Sequence, residues 1–446
     1  MQGRIGFVSV GHPDYIDEIT RAQTEKAMSI ITNAGYEALC AKTPATDYSA
    51  AMAAGKRLAA GDVSGVVIFL SSWVECPAVM SVLREVEHLP LCVLGFPMCE
   101  INGKLESTGS YVSFAMIKGV LDRAGYRYVP VLGDLDHEQT RQQIACFCAA
   151  AAAAAKLKRS RVGLVGYTSM SIYTGTFDHL FMRVKVGPEI EQIDSYTLIN
   201  IAESKPREQK QQVLEYYKKA AKIHGEVGDS ALLKSAGLYL ASEELIKTKA
   251  LDAFNIKCQY EFSKEYKMVP CVPLSLLSDR GFVTSCEGDI LNTVSMLILN
   301  LLTGQTVTYG DCMNHSENTV KFSSCGFLPF SMGEPGGALI RNFMPHPGFS
   351  GIQCSFALRP ERVTLLRLIE DRCSYHMLYF TGMGEKTELR GGYMPALDVT
   401  LDGDVSELVK NYSGQHYAIC YGDASKQIEM LSRLTGIRAL GIQRGE

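Results

Sequence analysis

Two carboxylates in the second half of the chain stand on either side of a helix-like segment. Glu287 lies in a Ser-Cys-Glu-Gly-Asp motif, the apolar segment 290–302 follows, and Asp311 comes after a strand-like piece ending in Tyr-Gly-Asp-Cys. A strand that rejoins its sheet after a helical crossover lies near the strand it left. Open α/β sheets bind ligands at the carboxyl ends of their strands. We therefore expect both acids at one mouth, where they could hold a divalent metal or transfer protons.

The same acids also suit purely structural positions, because aspartate and glutamate beside glycine often cap helices or stabilise turns. His416 favours the functional interpretation. It begins an apolar segment, 416–421, and two carboxylates with one imidazole suit a divalent transition metal with open positions, such as Mn²⁺. The three residues lie far apart in sequence, so spacing alone leaves both interpretations open.

Composition limits the class of protein that can position these residues. The chain has 446 residues, 46% hydrophobic and 21% charged, which gives room for sizeable cores and argues against bulk disorder. This length predicts roughly three domains. A net charge of −4 argues against general nucleic-acid binding, and the apolar runs are too short to span a membrane. We expect neither nucleic acid nor a membrane as partner.

The 14 cysteines include no C-x-x-C pair and lie mostly within apolar runs. This pattern favours buried thiols over disulfides and hence a reducing compartment. The first residues lead directly into a strand-like run without a signal-peptide pattern. Together these features predict a cytoplasmic protein.

Strand-like and helix-like segments alternate from Arg4 to about residue 300, which predicts mostly parallel sheets covered on both faces. Arg-Ile-Gly-Phe-Val-Ser at Arg4 and Arg-Val-Gly-Leu-Val-Gly at Arg161 begin two similar halves. After Asp311, short alternating runs separated by turns predict an antiparallel sheet or small barrel. The predicted fold is α/β: two doubly wound Rossmann-like domains followed by a C-terminal antiparallel β-barrel-like domain. The predicted boundaries are 1–158, 159–320 and 321–446.

An ordered set of short motifs resembles the L-fucose/L-arabinose isomerase group of aldose–ketose isomerases, nearly from end to end. The motifs are Cys258-Gln259, Cys286-Glu-Gly-Asp289, Leu302-Thr-Gly304, Gly310-Asp311, Arg362-Val-Thr-Leu-Leu-Arg367, Gln415-His-Tyr and Tyr421-Gly-Asp423. The resemblance implies an isomerase that depends on Mn²⁺, or on another divalent cation, and that interconverts an aldose and its ketose through an enediol.

The resemblance also implies a role for individual residues. Glu287 and Asp311 would be the catalytic acids and, with His416, the metal ligands. Gln259 would contact a small sugar substrate, together with Trp73 and His12 from a neighbouring subunit. Trp73 is the only tryptophan, and an aromatic face suits the C–H surface of a sugar, although packing is an equal alternative. The implied assembly is a homotrimer or homohexamer with active sites at subunit interfaces.

The sequence departs from the arabinose type at one point. That type carries a further histidine ligand after the second acid, whereas segment 321–326 has none here and His315 directly follows the acid's loop. This departure favours a three-ligand, fucose-type site.

The sugar itself stays open between fucose, arabinose and a modified hexose, sulfoquinovose, which would become 6-deoxy-6-sulfofructose. Arg341, His346 and Arg390 could accept a sulfonate by charge-assisted hydrogen bonds, or could be surface or structural residues. A non-catalytic sugar-binding or regulatory protein, and an aldolase or dehydratase using the same acids, are further alternatives.

Overall fold

The computed structural model describes residues 3–40, 43–101, 103–372 and 374–442. It divides into two compact units, which we describe separately. Unit 1 comprises Met1–Lys156 with Lys426–Gly436, and unit 2 comprises Leu157–Ser425 with Ile437–Glu446. The division into three domains stays a prediction.

The secondary structure alternates strands and helices before becoming rich in strands. The strands are β1 (Arg4–Val10), β2 (Glu37–Cys40), β3 (Val66–Leu70), β4 (Leu91–Gly95), β5 (Cys99–Ile101), β6 (Lys104–Glu106), β7 (Val129–Leu132), β8 (Arg161–Val165), β9 (Glu189–Ile193), β10 (Lys222–Ile223), β11 (Ala253–Ile256), β12 (Val283–Cys286), β13 (Thr308–His315), β14 (Thr319–Ser323), β15 (Leu339–Asn342), β16 (Ile352–Cys354), β17 (Arg362–Asp371), β18 (Ser374–Glu385), β19 (Ala396–Leu401), β20 (His416–Tyr421) and β21 (Arg438–Gly441). The α-helices are α1 (Glu18–Asn33), α2 (Tyr48–Ala59), α3 (Cys76–Val86), α4 (Ser110–Ala124), α5 (Glu138–Leu157), α6 (His179–Phe181), α7 (Ser195–Ser204), α8 (Arg207–Ala220), α9 (Asp229–Thr248), α10 (Cys271–Asp279), α11 (Ile290–Thr303), α12 (Val405–Lys410) and α13 (Ser425–Thr435).

Unit 1 is built on a parallel sheet in the order β2–β1–β3–β4–β7. Its central strand β3 has the sequence Val-Val-Ile-Phe-Leu and is buried throughout, as expected for a parallel strand covered on both faces. One face packs on α2, α3 and α4. The other packs on α1 and α5, with Met430 and Leu434 of α13 at its margin. The strand order reverses direction between β1 and β3, so the loops after these strands flank a topological switch point.

Unit 2 contains a second parallel sheet, in the order β12–β11–β8–β9. Helix α11 follows β12 and is buried on every side along most of its length. It contacts β11 and β12 on one side and β17 and β20 on the other. Most of its residues are apolar, which favours cover on more than one side, and these contacts make α11 the layer between two sheets.

The second sheet of unit 2 is mostly antiparallel and follows the order β17–β20–β13–β14–β19–β18–β21. A further pairing between β17 and β18 turns it into a nearly closed ring. The predicted fold class is thereby confirmed: two parallel Rossmann-like sheets are followed by a C-terminal antiparallel one. A small additional sheet joins β10, β15 and β16.

The predicted crossover at α11 is wrong. Strand β13 does not return to the parallel sheet that β12 leaves; it pairs antiparallel with β14 and β20 in the ring. The physical reason lies in α11, which is buried along most of its length and so needs a second covering layer, and β13 carries the chain into that layer. Asp311 accordingly lies within a strand rather than at the end of one.

Two further observations concern the described cysteines and helices. The described cysteines are all free thiols. None of the described helices combines the length and apolar character needed to cross a membrane.

The covered position of α11 predicts a large effect of truncation there. Leu297→Ala removes a side chain that is 1% exposed and should lower the free energy of unfolding by about 2–5 kcal/mol. Leu180→Ala removes the same atoms from a residue that is 68% exposed and should cost within about 0.5 kcal/mol. Urea unfolding followed by circular dichroism measures both, and equal shifts of the midpoint would contradict the placement of α11.

Candidate metal centre

Glu287 occupies a fixed turn immediately after β12. Its backbone is left-handed, with φ of 70°, and Gly288 follows with φ of 67°. A Cβ at Gly288 would stand 2.3 Å from the carbonyl oxygen of Tyr167, so only glycine fits. The Glu287 amide donates to the Ile256 carbonyl at 3.0 Å, and the Glu287 carbonyl accepts from the Ser169 amide at 3.0 Å. A non-glycine residue held in this conformation is characteristic of functional sites.

Asn255, in the neighbouring strand β11, secures this turn from inside. Its Nδ2 donates to the Ser285 hydroxyl at 2.9 Å and to the Cys286 carbonyl at 3.0 Å. Its Oδ1 accepts from the Gly288 amide at 2.8 Å. Because Asn255 is fully buried, these bonds are shielded from water and fix the backbone that carries Glu287.

Asp311 and His416 are brought together by strand register. They lie directly opposite each other where β13 pairs with β20. Opposite residues of an antiparallel pair present their side chains on the same face, with Cβ atoms about 5 Å apart. The backbone of the pair continues with a hydrogen bond of 2.8 Å from the Cys312 amide to the Gln415 carbonyl.

The three predicted ligands converge on one point. His416 Nε2 lies 3.2 Å from Asp311 Oδ1 and 3.5 Å from Glu287 Oε2. The candidate ligand atoms of the three residues are all within 4.8 Å of one another. His416 is fully buried, and the side chains of Glu287 and Asp311 are 9% and 24% exposed. Despite its burial and the nearby carboxylates, His416 Nε2 makes no hydrogen bond of regular geometry with any of the described residues.

These features fit a divalent cation. A buried imidazole nitrogen without a hydrogen-bond partner, facing two carboxylates, is the donor set that transition metals take in proteins. Within the described residues the group comprises these three, and His315, further along β13, is exposed. The arrangement is thus a candidate metal site with three protein ligands; which cation it prefers is a matter for proposal.

A buried carboxylate, Asp289, and a buried guanidinium, Arg367, lie on the Nδ1 side of the His416 imidazole. His416 Nδ1 lies 2.8 Å from Asp289 Oδ2, and Arg367 Nη1 donates to the same oxygen at 2.7 Å. The side chains of all three are fully buried. Asp289 also caps α11, accepting from the Asn292 amide at 2.9 Å. A carboxylate on the second nitrogen fixes the tautomer that leaves Nε2 free for a metal.

The charges of this network shift its protonation equilibria. Burial alone would raise the pKa of Asp289, but Arg367 and His416 outweigh it and lower that pKa to about 2. Burial would lower the pKa of His416, but the carboxylates of Asp311, Asp289 and Glu287 raise it well above its usual value. A bound cation would take the place of the proton on Nε2, since metal ligation requires the neutral imidazole.

Sequence reasoning did not assign Asp289 and Arg367. Each carries a recognisable signal. Asp289 directly precedes an apolar helix, the position of an N-cap. Arg367 is a charge inside the strand sequence Leu-Leu-Arg-Leu-Ile, and a buried charge requires a partner.

A narrow cleft adjoins Glu287, and its enclosed space of about 10 Å³ is close to that of a single water molecule. Gln259, one of the predicted sugar contacts, lines it, as does His346. His346 Nε2 is 3.9 Å from the Cys325 sulfur, which lies 4.0 Å from Glu287 Oε1. The remaining lining residues are Cys258, Val269, Cys271, Cys286, Tyr309, Gly326, Phe327, Phe343 and Phe349.

The other two candidates for an anionic substituent lie elsewhere. Arg390 forms an ion pair with Asp398 and donates to the Glu388 carbonyl, which favours a structural role. Arg341 is absent from the described lining of the cleft.

Trp73 and His12 belong to unit 1. They follow β3 and β1 at the switch point of the first sheet, where the His12 amide donates to the Trp73 carbonyl at 2.8 Å. Switch points are where doubly wound sheets bind ligands. Their contact with substrate, and the trimeric or hexameric assembly that would bring them to a neighbouring site, stay predictions.

The curated proteins that resemble this chain in sequence share one activity. No family model matches the chain. A sulfoquinovose isomerase of Alkalicoccus urumqiensis is 23% identical over 361 residues, which cover 80% of this chain and 81% of that protein. Sulfoquinovose isomerases of Priestia aryabhattai and Priestia megaterium are each 28% identical over 216 residues, 47% of this chain and 48% of theirs. The chain is therefore homologous to sulfoquinovose isomerases, which are aldose–ketose isomerases related to the fucose-isomerase-like folds.

Solved structures resemble this chain only weakly. A periplasmic sugar-binding protein from Legionella pneumophila has a TM-score of 0.20 and 12% identity, covering 68% of this chain and 97% of its own. The arabinose-binding protein AraP from Geobacillus stearothermophilus has a TM-score of 0.18 and 11% identity, covering 67% and 85%. Scores this low support no inference about fold or ligand.

The buried network predicts how single and double substitutions differ. Asp289→Asn leaves Arg367 as an uncompensated buried charge and should lower the free energy of unfolding by about 3–5 kcal/mol. Asp289→Asn combined with Arg367→Met should recover part of that loss. Asp371→Asn, at a side chain that is 65% exposed, is the matched control and should have little effect. Urea midpoints measure all four proteins, and a double variant no more stable than the single one would refute the ion pair's role.

Proposed function

We propose that the protein is a metal-dependent aldose–ketose isomerase that interconverts sulfoquinovose and 6-deoxy-6-sulfofructose. The observation that carries this proposal is the convergence of Glu287, Asp311 and His416 around the unpartnered His416 Nε2. The homology to sulfoquinovose isomerases supports the reaction class and favours this sugar over fucose and arabinose. The oxygen-rich ligand set with one imidazole suits Mn²⁺, the cation that we propose.

The reaction moves two protons within the sugar. In the aldose-to-ketose direction, one carboxylate of the pair Glu287 and Asp311 takes the proton from the carbon beside the carbonyl while the carbonyl oxygen gains a proton from water, which gives the enediol. The protonated acid then returns its proton to the former carbonyl carbon, and the hydroxyl proton of the neighbouring oxygen passes to water as the new carbonyl forms. The bound cation would polarise the carbonyl and hydroxyl oxygens.

The chain's own residues prepare this chemistry in two ways. The strand pairing of Asp311 with His416 and the glycine-supported turn of Glu287 fix both carboxylates before substrate binds. Preorganised charges in a site of low water content stabilise developing charge better than water does. Asp311, with 24% of its side chain exposed against 9% for Glu287, is the more open to solvent. It is thus the better placed of the two to exchange a proton with water.

The cleft beside Glu287 has features that suit a sulfonate at the far end of a hexose. Glu287 Oε1 and His346 Nε2 both lie within 4.0 Å of the Cys325 sulfur, so the two are no more than about 8 Å apart. Six carbons in an extended chain span roughly 6 Å, from the length of C–C bonds. A sugar with its reacting carbons at the acids would therefore bring its sixth carbon near His346.

An aromatic ring lies beside His346, and a second ring and a lysine lie beyond it. The His346 ring centroid lies 5.2 Å from that of Phe349, and Phe349 lies 6.1 Å from Tyr260. Lys264 Nζ is 5.5 Å from the Phe349 centroid and 5.1 Å from the Tyr260 centroid. This wall offers apolar faces for the sugar's C–H surface and hydrogen-bond donors for sulfonate oxygens.

The decisive experiment follows the reaction by NMR in D₂O with Mn²⁺ and separate samples of sulfoquinovose, fucose and arabinose. Wild type should convert sulfoquinovose, with deuterium entering next to the carbonyl. Glu287→Gln and Asp311→Asn should each lose about 100-fold or more in kcat, as expected on removing a general acid–base group. Glu317→Gln, at an exposed acid after β13, is the matched control.

Metal analysis of the same proteins separates binding from catalysis. Wild type and Glu317→Gln should bind one Mn²⁺ per chain, and the two site variants should bind it more weakly. If wild type binds no divalent cation and converts none of the three sugars, the isomerase proposal fails. If it converts only fucose or arabinose, the reaction class stands and the sulfo-sugar assignment is lost.

The role of the cleft wall has its own test. His346→Gln should raise KM for sulfoquinovose about tenfold or more, since a hydrogen bond to a charged group contributes about 1.5–3 kcal/mol. Its kcat, and any slow turnover of a neutral aldose, should stay close to wild type. Arg390→Gln is the comparison, because Arg390 pairs with Asp398. Equal losses on charged and neutral sugars would argue against sulfonate recognition by His346.

A further inference from the structure

We propose that Cys258, Cys286 and Glu287 form a second cation site, which takes a thiophilic cation such as Zn²⁺ or Cd²⁺ and shares Glu287 with the first site. The binding itself does not depend on the proposed isomerase activity. Its effect on the first site rests on the cation binding that the proposed function places there, and the experiments below separate the two.

The topology of the parallel sheet brings the two thiols together. Cys286 is the last residue of β12, and Cys258 lies just beyond the end of β11, its parallel neighbour. The ligand atoms of Cys258, Cys286 and Glu287 all lie within 4.8 Å of one another, and all three residues are buried. Tetrahedral zinc with Zn–S bonds of about 2.3 Å holds its ligand atoms roughly 3.8 Å apart. Small side-chain adjustments would therefore close the site.

The surroundings supply further soft and neutral donors. Gln259 Oε1 lies 3.2 Å from the Cys258 sulfur, and the Cys286 sulfur lies 2.9 Å from the Tyr309 hydroxyl. Two more thiols, Cys271 and Cys325, line the same cleft. The cleft leaves space for a fourth ligand, as in zinc sites with three protein ligands.

Ligand chemistry separates the two sites. Thiolates select Zn²⁺ and Cd²⁺, whereas carboxylates with one imidazole accept harder ions such as Mn²⁺. On binding, each thiol releases its proton to the buffer and its sulfur forms the bond to the cation, with no change of oxidation state.

The shared carboxylate couples the sites. Glu287 Oε2 faces His416 at 3.5 Å, whereas Oε1 lies 4.0 Å from the Cys325 sulfur on the thiol side. A cation at the thiols would compete with the first site for coordination by the Glu287 carboxylate. Two divalent cations bound to one carboxylate also repel each other. Each cation should therefore weaken the binding of the other by the same factor.

The binding test uses Cd²⁺ and the reduced, metal-free full chain. Titration should produce the ultraviolet thiolate-to-cadmium charge-transfer band, saturating at one Cd²⁺ per chain, and Zn²⁺ should displace it. Cys258→Ala and Cys286→Ala should each weaken Cd²⁺ binding at least tenfold. Cys420→Ala, at another buried thiol, should leave it unchanged. A missing band, or a band that both site variants retain, would overturn the proposal.

A second measurement avoids variants that fail to fold. In wild type, Cd²⁺ should slow alkylation of Cys258 and Cys286, but not of Cys420, as read by peptide mass spectrometry. Equal alkylation with and without Cd²⁺, or a Cys258–Cys286 disulfide in place of a bound cation, would overturn the site.

The coupling is measured with free Mn²⁺ by electron paramagnetic resonance. Cd²⁺ should lower the Mn²⁺ affinity of wild type at least fivefold and leave that of Cys258→Ala unchanged. An equal fall in both proteins would disprove coupling through the thiols. If no sugar is isomerised, the function proposal fails alone, because the cadmium band and the alkylation pattern do not depend on turnover.

Discussion

The candidate site depends on one buried ion pair, between Asp289 and Arg367. Both side chains are fully buried, so neither charge is stable there without the other. Arg367 lies on β17 and also donates to the Thr174 carbonyl at 2.5 Å. Asp289 caps the start of α11. Its Oδ2 accepts from Arg367 and contacts Nδ1 of His416 on β20. The pair thus joins the helix, the antiparallel ring and the loop after β8 at the point where the imidazole must be oriented.

Helix α11 explains why the acids come from two different sheets. A helix with one apolar face would have allowed the chain to return to the parallel sheet. Because α11 carries buried residues on all its faces, a second sheet covers its other side, and Asp311 enters the site from that sheet. Glu287 arrives from the edge of the first. The carboxylates therefore approach the imidazole from separate layers, each held by its own backbone pairing.

Sequence patterns predict the features that depend on neighbouring residues and miss those that depend on residues far apart in the chain. Local patterns determine the alternation of strands and helices, and the fold class was confirmed. The position of Glu287 just beyond a parallel strand is also local. The partner sheet of β13 and the opposition of Asp311 and His416 are long-range properties of pairing, which no spacing in the chain reports. The residue types alone suggest His416 as a partner of the two acids without establishing it, and the family resemblance assigns it as a metal ligand; the catalytic roles stay predictions.

The pairing of Asp311 with His416 makes the site depend on the alternation of side chains along β13 and β20. Successive residues of a strand point to opposite faces, so inserting one residue in β13 ahead of Asp311, or shifting the register of β20 by one residue, would turn one ligand away from the other. The pairing of β13 with β14 absorbs such an irregularity between Cys312 and Asn314, immediately after the ligand rather than before it. Loops between residues 311 and 416 that carry no residue of the site or of the cleft can vary in length, whereas the two strands must keep their number of residues. Descendants of this chain would therefore change at its turns long before they change within these strands.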